Sequence, residues 1–375
     1  MRVLHILGAT DDTGGILSVI RNLQTATAPR GVQHLVWVNS AYHEVRRPSL
    51  TYRLSPGFIA ESPNPVRLLC SGLRAWRELK QIERDGRFDV LHAHSRGGLV
   101  CAMAVASLDR RPVLFTSHAR GRRVWLYRVA AALPRLHMVF LAHDMARHYG
   151  LIERWPKRSI ISSSCAEVFF EHPLGQRHSW PISHRRLRLI GVGNLVRWKQ
   201  WDLVLKALRL LPADAKKQVE FSLWGPTLTA DADSEQFARE LRDFVQANSL
   251  EEQVKFCGPT NDVLACMKNG DWLVHPTTNE PLGIVIIEAL ALGIPAIVSR
   301  SGGPAEIVIP GKTGLHFAAN SAENLAGKIL EVLRGEVGIL NPAEIRESVR
   351  NRSGSAVTNA YCRLYDEIVH GQAKR

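Results

Sequence analysis

The residues best placed to do chemistry lie between Gly270 and Pro295, where Glu280 and Glu288 bracket the run Pro281, Leu282, Gly283, Ile284 and Val285. The composition predicts a short buried strand over Trp272–His275, with Pro276 to Glu280 forming the loop at its carboxyl end, where open α/β sheets bind ligands. Pro281 is expected just inside a helix start, and Gly283 leaves room for a ligand to approach the backbone. The amides of Gly283, Ile284 and Val285 would then emerge unpaired from the first helical turn, a place for phosphate. Glu288 can accept both hydroxyls of a vicinal diol such as a ribose, while Glu280 would face the other end of the ligand. From Ile284 to Leu292 the helix is apolar on all faces apart from Glu288, which predicts burial and leaves that carboxylate in need of a partner. A hydrolytic carboxylate pair is disfavoured. On a single helix the two glutamates would stand about 12 Å apart, beyond the roughly 6.5–9.5 Å of an inverting pair, although the loop position of Glu280 weakens that argument.

Two series of alternating strands and helices must position these groups. In the first half, strands are expected at Val3–Leu7, His34–Val38, Val90–Ala93, Val113–Thr116, Met138–Ala142 and Ser159–Ser162, separated by helical stretches. The pattern dissolves between about Glu171 and Arg188. It resumes with strands at Leu187–Val192, Val219–Trp224, Val254–Phe256, Trp272–His275 and Ala296–Ser299, and helices at Trp201–Leu211, Glu235–Asn248, near Asp262–Lys268 and from about Gly283. We therefore expect an α/β protein of two doubly wound, Rossmann-like domains facing across a cleft, residues 1–175 and 187–355, joined by a linker at 176–186. Val357, Tyr361, Leu364, Tyr365 and Ile368 recur at helical spacing, so a helix over 356–370 is expected to pack back on the first domain.

The chain of 375 residues, 45% hydrophobic and 22% charged, is long enough for two cores. Its opening residues lack the shape of a secretory signal, and no apolar run is long enough to span a membrane. A cytoplasmic protein, soluble or peripheral at the inner face of the membrane, is expected. The six cysteines lie far apart without zinc-site spacing and read as structural thiols. His92 and His94 are read as pointing to opposite faces of their strand, against a shared metal. Gly311-Lys312-Thr313 fails as a phosphate loop because Glu306 stands where a glycine is required, and it reads as a turn. The net charge of +13 admits nucleic acid, an anionic membrane or an anionic substrate. Basic groups gather at Arg110, Arg111, Arg120, Arg122, Arg123 and Arg128. They also line a helical stretch with Arg67, Arg74, Arg77, Lys80 and Arg84, where Leu69, Leu73, Trp76 and Ile82 add an apolar side. That stretch is a plain surface helix or one that meets an anionic membrane; nucleic acid finds no recognised binding module.

The segment from Glu280 to Ser299 reads E-P-x-G-x-x-x-x-E-A-x-A-x-G-x-P-x-x-x-S and is followed by Ser301-Gly-Gly303-Pro-Ala-Glu306 and Gly311-Lys-Thr-Gly314. In this the chain resembles the retaining glycosyltransferases of family 4, with the GT-B fold. The first half adds Thr13-Gly14-Gly15, the run from Asp89 to His94 and Ser95, and Phe115-Thr-Ser-His118. The resemblance implies a nucleoside-diphosphate sugar as donor, a glycan or glycolipid as acceptor, and no metal or other cofactor. It makes Glu288 the ribose ligand, Glu280 a contact to the donor sugar, Gly283 to Val285 phosphate amides, Lys199 a phosphate-binding lysine and His118 a neighbour of the transferred sugar. The acceptor side falls on Gly14, Gly15, His94, Ser95 and Arg120. Where the family pattern has arginine, this chain has Asn194, so Arg197 or another cation is expected to take over; Gln200 replaces a usual glycine. Retention with an oxocarbenium-like transition state is implied, the departing phosphate helping to deprotonate the acceptor. A nucleotide-sugar epimerase and a non-catalytic nucleotide-sugar-binding scaffold are the rival functions.

Overall fold

The structure is a computed structural model and describes residues 1–8, 15–40, 42, 52–54, 64–151, 157–175, 185–228 and 231–373. Thr13, Gly14 and most of the expected linker lie outside these residues; Gly15 opens the helix Gly15–Thr27. The chain forms two compact units. One comprises Met1–Ser164 together with Gly354–Arg375, and the other Cys165–Ser353.

The first unit holds seven strands: β1 (Arg2–Ile6), β2 (Gln33–Val38), β3 (Tyr52–Leu54), β4 (Val90–Ala93), β5 (Val113–Ser117), β6 (Leu136–Phe140) and β7 (Arg158–Ile160). They form one parallel sheet in the order β3-β2-β1-β4-β5-β6-β7. The near-continuous burial of β4 and β5 follows from helices covering a parallel sheet. The terminal helix Gly354–Ala373 belongs to this unit. Its Val357, Tyr361, Leu364, Tyr365 and Ile368 stripe packs on Val3, Val90, Leu114 and Val139 of the sheet.

The second unit repeats the plan with β8 (Leu187–Val192), β9 (Val219–Trp224), β10 (Val254–Gly258), β11 (Trp272–His275), β12 (Ala296–Ser299) and β13 (Gly314–Phe317), ordered β10-β9-β8-β11-β12-β13. Its core contains Trp201, Phe221, Trp272, Leu325 and Ile329. The chain enters this unit at Cys165, ahead of the expected end of the first domain at 175. Cys165 N–H donates to the Arg352 carbonyl at 3.0 Å, and the short helix Glu167–Glu171 buries Phe169 and Phe170.

In each sheet the strand order reverses once, between β1 and β4 and between β8 and β11. Such switch points open a crevice beyond the carboxyl ends of the strands, where α/β proteins hold ligands. His94 and Ser95 directly follow β4, Asn194 follows β8, and the loop from Pro276 to Glu280 follows β11.

Candidate functional site

At the end of β11, His275 is fully buried, and the loop behind it brings Glu280 back beside it. The Glu280 carboxylate accepts from Lys199 Nζ at 2.5 Å and lies 3.3 Å from His275 Nε2. Burial alone would raise the Glu280 pKa, but the His275 ring and the Lys199 ammonium outweigh it and hold the carboxyl at about 2. The same burial lowers His275. Lys199 reaches this carboxylate from the turn Arg197–Lys199, its ammonium 4.3 Å from the Trp198 ring centroid. The loop is fastened by Ser301 Oγ donating to the Thr278 carbonyl at 2.5 Å and Gly303 N–H donating to the Glu280 carbonyl at 3.0 Å. A side chain at position 303 would place Cβ 2.4 Å from Leu282 Cα, which is why a glycine closes this contact.

The following helix, Ile284–Ala291, begins after Gly283 at φ +90°, a left-handed conformation that glycine adopts without strain. Pro281 therefore lies in the loop and not within the first turn as expected; the left-handed Gly283 delays the start of the helix. The Ile284 and Val285 amides meet no acceptor among the described residues. The carboxyl of Glu288 also finds neither cation nor hydrogen-bond donor among them. Burial pushes its pKa up to about 7. A half-buried carboxyl on an otherwise apolar helix, with no partner from the protein among the described residues, is open to a ligand's donors.

The cation expected to take over from the missing arginine is engaged elsewhere: the Arg197 guanidinium is bound at 2.7 Å to Asp233 and at 2.7 and 2.8 Å to Glu240, on the helix Ala232–Ala247. Asn194 is exposed and uncharged, and its carbonyl accepts from Trp201 Nε1 at 3.0 Å. Lys199 is thus the site's cation among the residues named from sequence. Gln200 has φ 57°, the left-handed conformation that the usual glycine would take freely. The glutamine compensates with its side chain, whose Oε1 accepts from Thr278 N–H at 3.0 Å and whose Nε2 donates to Asn320 at 2.6 Å. His275 and Gln200 were not read as site residues from sequence. The signal available for His275 was its place as the last residue of a buried strand directly before the loop.

In the first unit, His94, Ser95, His118 and Arg120 line a cavity of about 550 Å³ together with Leu7 and Tyr127. Ser95 caps the helix Arg96–Leu108, its hydroxyl accepting from Gly98 N–H at 3.2 Å and from Gly8 N–H at 3.1 Å, so it shapes the crevice. Arg120 is paired with Asp144. His94 Nδ1 lies 2.9 Å from His118 Nε2, and burial lowers both rings, His118 to about 4.

His92 and His94 do not diverge. Side chains two apart on a strand share a face, and their ring centroids are 3.9 Å apart. His5, the register partner of His92, completes a trio with ligand atoms within 4.8 Å of one another. The ring nitrogens of the trio are engaged in hydrogen bonds: His92 with Tyr365 (2.9 Å) and Thr116 (2.7 Å), His5 with His34 (2.8 Å) and His94 (2.9 Å), and His94 with His118. The trio is built as a hydrogen-bonded network.

Comparison with known proteins is consistent across the chain. Residues 176–353 match the family described as Glycosyl transferases group 1, and residues 13–163 match Glycosyltransferase Family 4. D-inositol 3-phosphate glycosyltransferase of Arthrobacter sp. strain FB24 is 23% identical over 365 residues, covering 87% of this chain and 85% of the relative. Lipopolysaccharide core biosynthesis mannosyltransferase LpcC of Rhizobium leguminosarum bv. viciae is 26% identical, covering 68% of this chain and 71% of its own. Among solved structures, Anabaena HepE in complex with UDP has the same fold, with a TM-score of 0.76 at 17% identity over 98% of this chain and 100% of that one. With both halves matched, two doubly wound sheets in place and the Glu280–Glu288 segment folded as a strand-end loop and buried helix, this chain belongs to the family 4 glycosyltransferases of the GT-B fold.

Proposed function

We propose that the chain transfers a sugar, with retention of anomeric configuration, from a nucleoside-diphosphate sugar to a hydroxyl of a glycan or glycolipid, in cell-surface polysaccharide or lipopolysaccharide-type biosynthesis. The observation that carries this reading is Glu288: a half-buried carboxyl with no hydrogen-bond or charge partner among the described residues, on a helix whose first-turn amides are also open. A ribose diol and a diphosphate satisfy both at once. The UDP bound by the Anabaena relative and the carbohydrate reactions named for the Arthrobacter and Rhizobium relatives support the same assignment.

In this reading Glu288 accepts from the ribose, the Gly283 to Val285 segment and Lys199 receive the diphosphate, and Glu280, held anionic by Lys199 and His275, contacts the donor sugar. The acceptor occupies the crevice lined by His94, Ser95, His118 and Arg120, and the family resemblance assigns Gly14 and Gly15 to it as well. The bond from the anomeric carbon to the diphosphate oxygen breaks, the bond to the acceptor oxygen forms, and the departing phosphate takes the acceptor's proton. Positive charge at the leaving group comes from Lys199 and the helix start, so no resident metal or cofactor is assigned.

The helix Pro65–Ile82 supports peripheral attachment to the inner face of the cytoplasmic membrane. It buries Leu68, Ala75, Leu79 and Ile82, yet leaves Val66 65%, Leu69 54% and Leu73 37% exposed beside Arg67, Arg74 and Arg77. Co-sedimentation with anionic but not neutral vesicles tests this part.

A donor screen on the purified chain tests the main reading. Acceptor-dependent release of nucleoside diphosphate is the expected outcome. Product formed without acceptor would identify an epimerase, and binding without turnover a scaffold.

A further inference from the structure

Buried in the first unit, a file of four imidazoles runs from the helix Gly15–Thr27 to the cavity. Thr27 Oγ1 is 2.7 Å from the Leu23 carbonyl and 2.8 Å from His34 Nε2. His34 Nδ1 meets His5 Nε2 at 2.8 Å, His5 Nδ1 meets His94 Nε2 at 2.9 Å, and His94 Nδ1 meets His118 Nε2 at 2.9 Å. Four strand segments, β2, β1, β4 and β5, supply the rings, on the strand or directly after its end, so no short sequence pattern announces the file.

Its direction follows from counting protons. The Leu23 carbonyl can only accept, so the single hydroxyl hydrogen of Thr27 points to it, and Thr27 Oγ1 must accept from His34 Nε2–H. A neutral imidazole carries one N–H; with Nε2 protonated, His34 Nδ1 is an acceptor and requires Nε2–H on His5. The same step repeats at His94 and at His118. Burial keeps the rings neutral: it lowers His34 and His118 to about 4, and His5 and His94 well below their ordinary value.

We propose that Thr27, His34, His5 and His94 are positioning residues that lock His118 as its Nε2–H tautomer, so that Nδ1 offers a lone pair to a ligand hydroxyl in the cavity. The file ends on a backbone carbonyl, which cannot take a proton at neutral pH, so it orients and does not conduct. His118 then serves as a neutral acceptor for a sugar or acceptor hydroxyl and not as a cation for the diphosphate. The use of that lone pair rests on the transferase reading; the tautomer itself does not.

The test is long-range ¹H–¹⁵N correlation on the full chain labelled with ¹⁵N-histidine, with His118 assigned from His118→Asn. A protonated Nε2 and a bare Nδ1 at His118 near neutral pH are expected. A protonated Nδ1, or a charged ring, would overturn the proposal. Thr27→Val should populate both His118 tautomers and lower kcat roughly tenfold while leaving affinity for the nucleoside diphosphate alone unchanged, with Thr27→Ser restoring both readouts. An unaltered His118 tautomer in Thr27→Val would equally defeat it. Absence of transfer with every nucleotide sugar, alongside the expected tautomer, would refute the transferase reading and uphold the lock.

Discussion

The two switch points of this chain use different electrostatics on the same scaffold. Beyond β8 and β11 the crevice is charged: Glu280 is held at about 2 by His275 and Lys199 against its own burial, and Glu288 stands unpaired at about 7. Beyond β1 and β4 the neutral imidazoles of His94 and His118, depressed by burial and joined to each other, line the crevice beside Arg96, Arg120 and Arg122. A diphosphate and its ribose need fixed charge and strong acceptors, whereas a carbohydrate needs oriented neutral partners. The architecture is shared, and the division of labour is set by which side chains end the strands.

The largest effect should come from breaking the charged side. Glu280→Gln removes the anion that organises Lys199 and His275, and kcat should fall on the order of 10²–10³-fold, measured by nucleoside diphosphate release. A loss of less than about fivefold would show that Glu280 is structural.

Glu288→Gln should weaken donor affinity by roughly ten- to a hundredfold, read by calorimetry. Its pH dependence sharpens the assignment. Because burial raises the Glu288 pKa from 4.5 to about 7, the folded chain holds a proton that the unfolded chain has already lost across that window. The stabilisation is complete below about pH 4.5 and is lost as pH rises through about 7. Donor affinity should move the other way, rising between about pH 6 and 8 as the ionised acceptor forms. In Glu288→Gln both contributions vanish, so comparing the two proteins in thermal melts and donor titrations isolates this carboxyl.

Much of the charged side was legible because its residues are close in sequence: Glu280, Gly283 and Glu288 sit on one loop and helix, and the apolar run between them announced burial. What escaped depends on contacts distant in sequence or on unusual backbone. β3 (Tyr-Arg-Leu) and β13 (Gly-Leu-His-Phe) contain no β-branched residue, and β13 follows directly from a segment that reads as a turn. The helix start moved past Pro281 because Gly283 is left-handed. The histidine file was invisible for a topological reason: His34, His5, His94 and His118 lie on or directly after β2, β1, β4 and β5, which become neighbours in that order only when β1 is inserted between β2 and β4.

Gln200 offers a smaller test. Gln200→Gly relieves the left-handed backbone but removes the hydrogen bonds to Thr278 and Asn320, which hold the loop before Glu280. The backbone gain of about 1–2 kcal/mol offsets much of the loss in stability. A fall in kcat of a fewfold with little change in Tm is expected, whereas a large Tm change would show that one effect dominates.

The smallest effect is expected at Arg197, and it decides how the charged crevice manages without an arginine at 194. If the Arg197 guanidinium stays with Asp233 and Glu240, it contributes a surface network that solvent and salt screen strongly, and the diphosphate is left to Lys199 and the open amides. Arg197→Ala should then keep donor affinity within about twofold and leave its salt dependence unchanged. Should Arg197 swing onto the diphosphate, the same substitution would weaken donor binding tenfold or more and flatten the salt dependence. Restoring the family's arginine in Asn194→Arg separates the two cases. With the position unfilled it should raise kcat or donor affinity; with Arg197 already there, a second guanidinium would add little and be repelled.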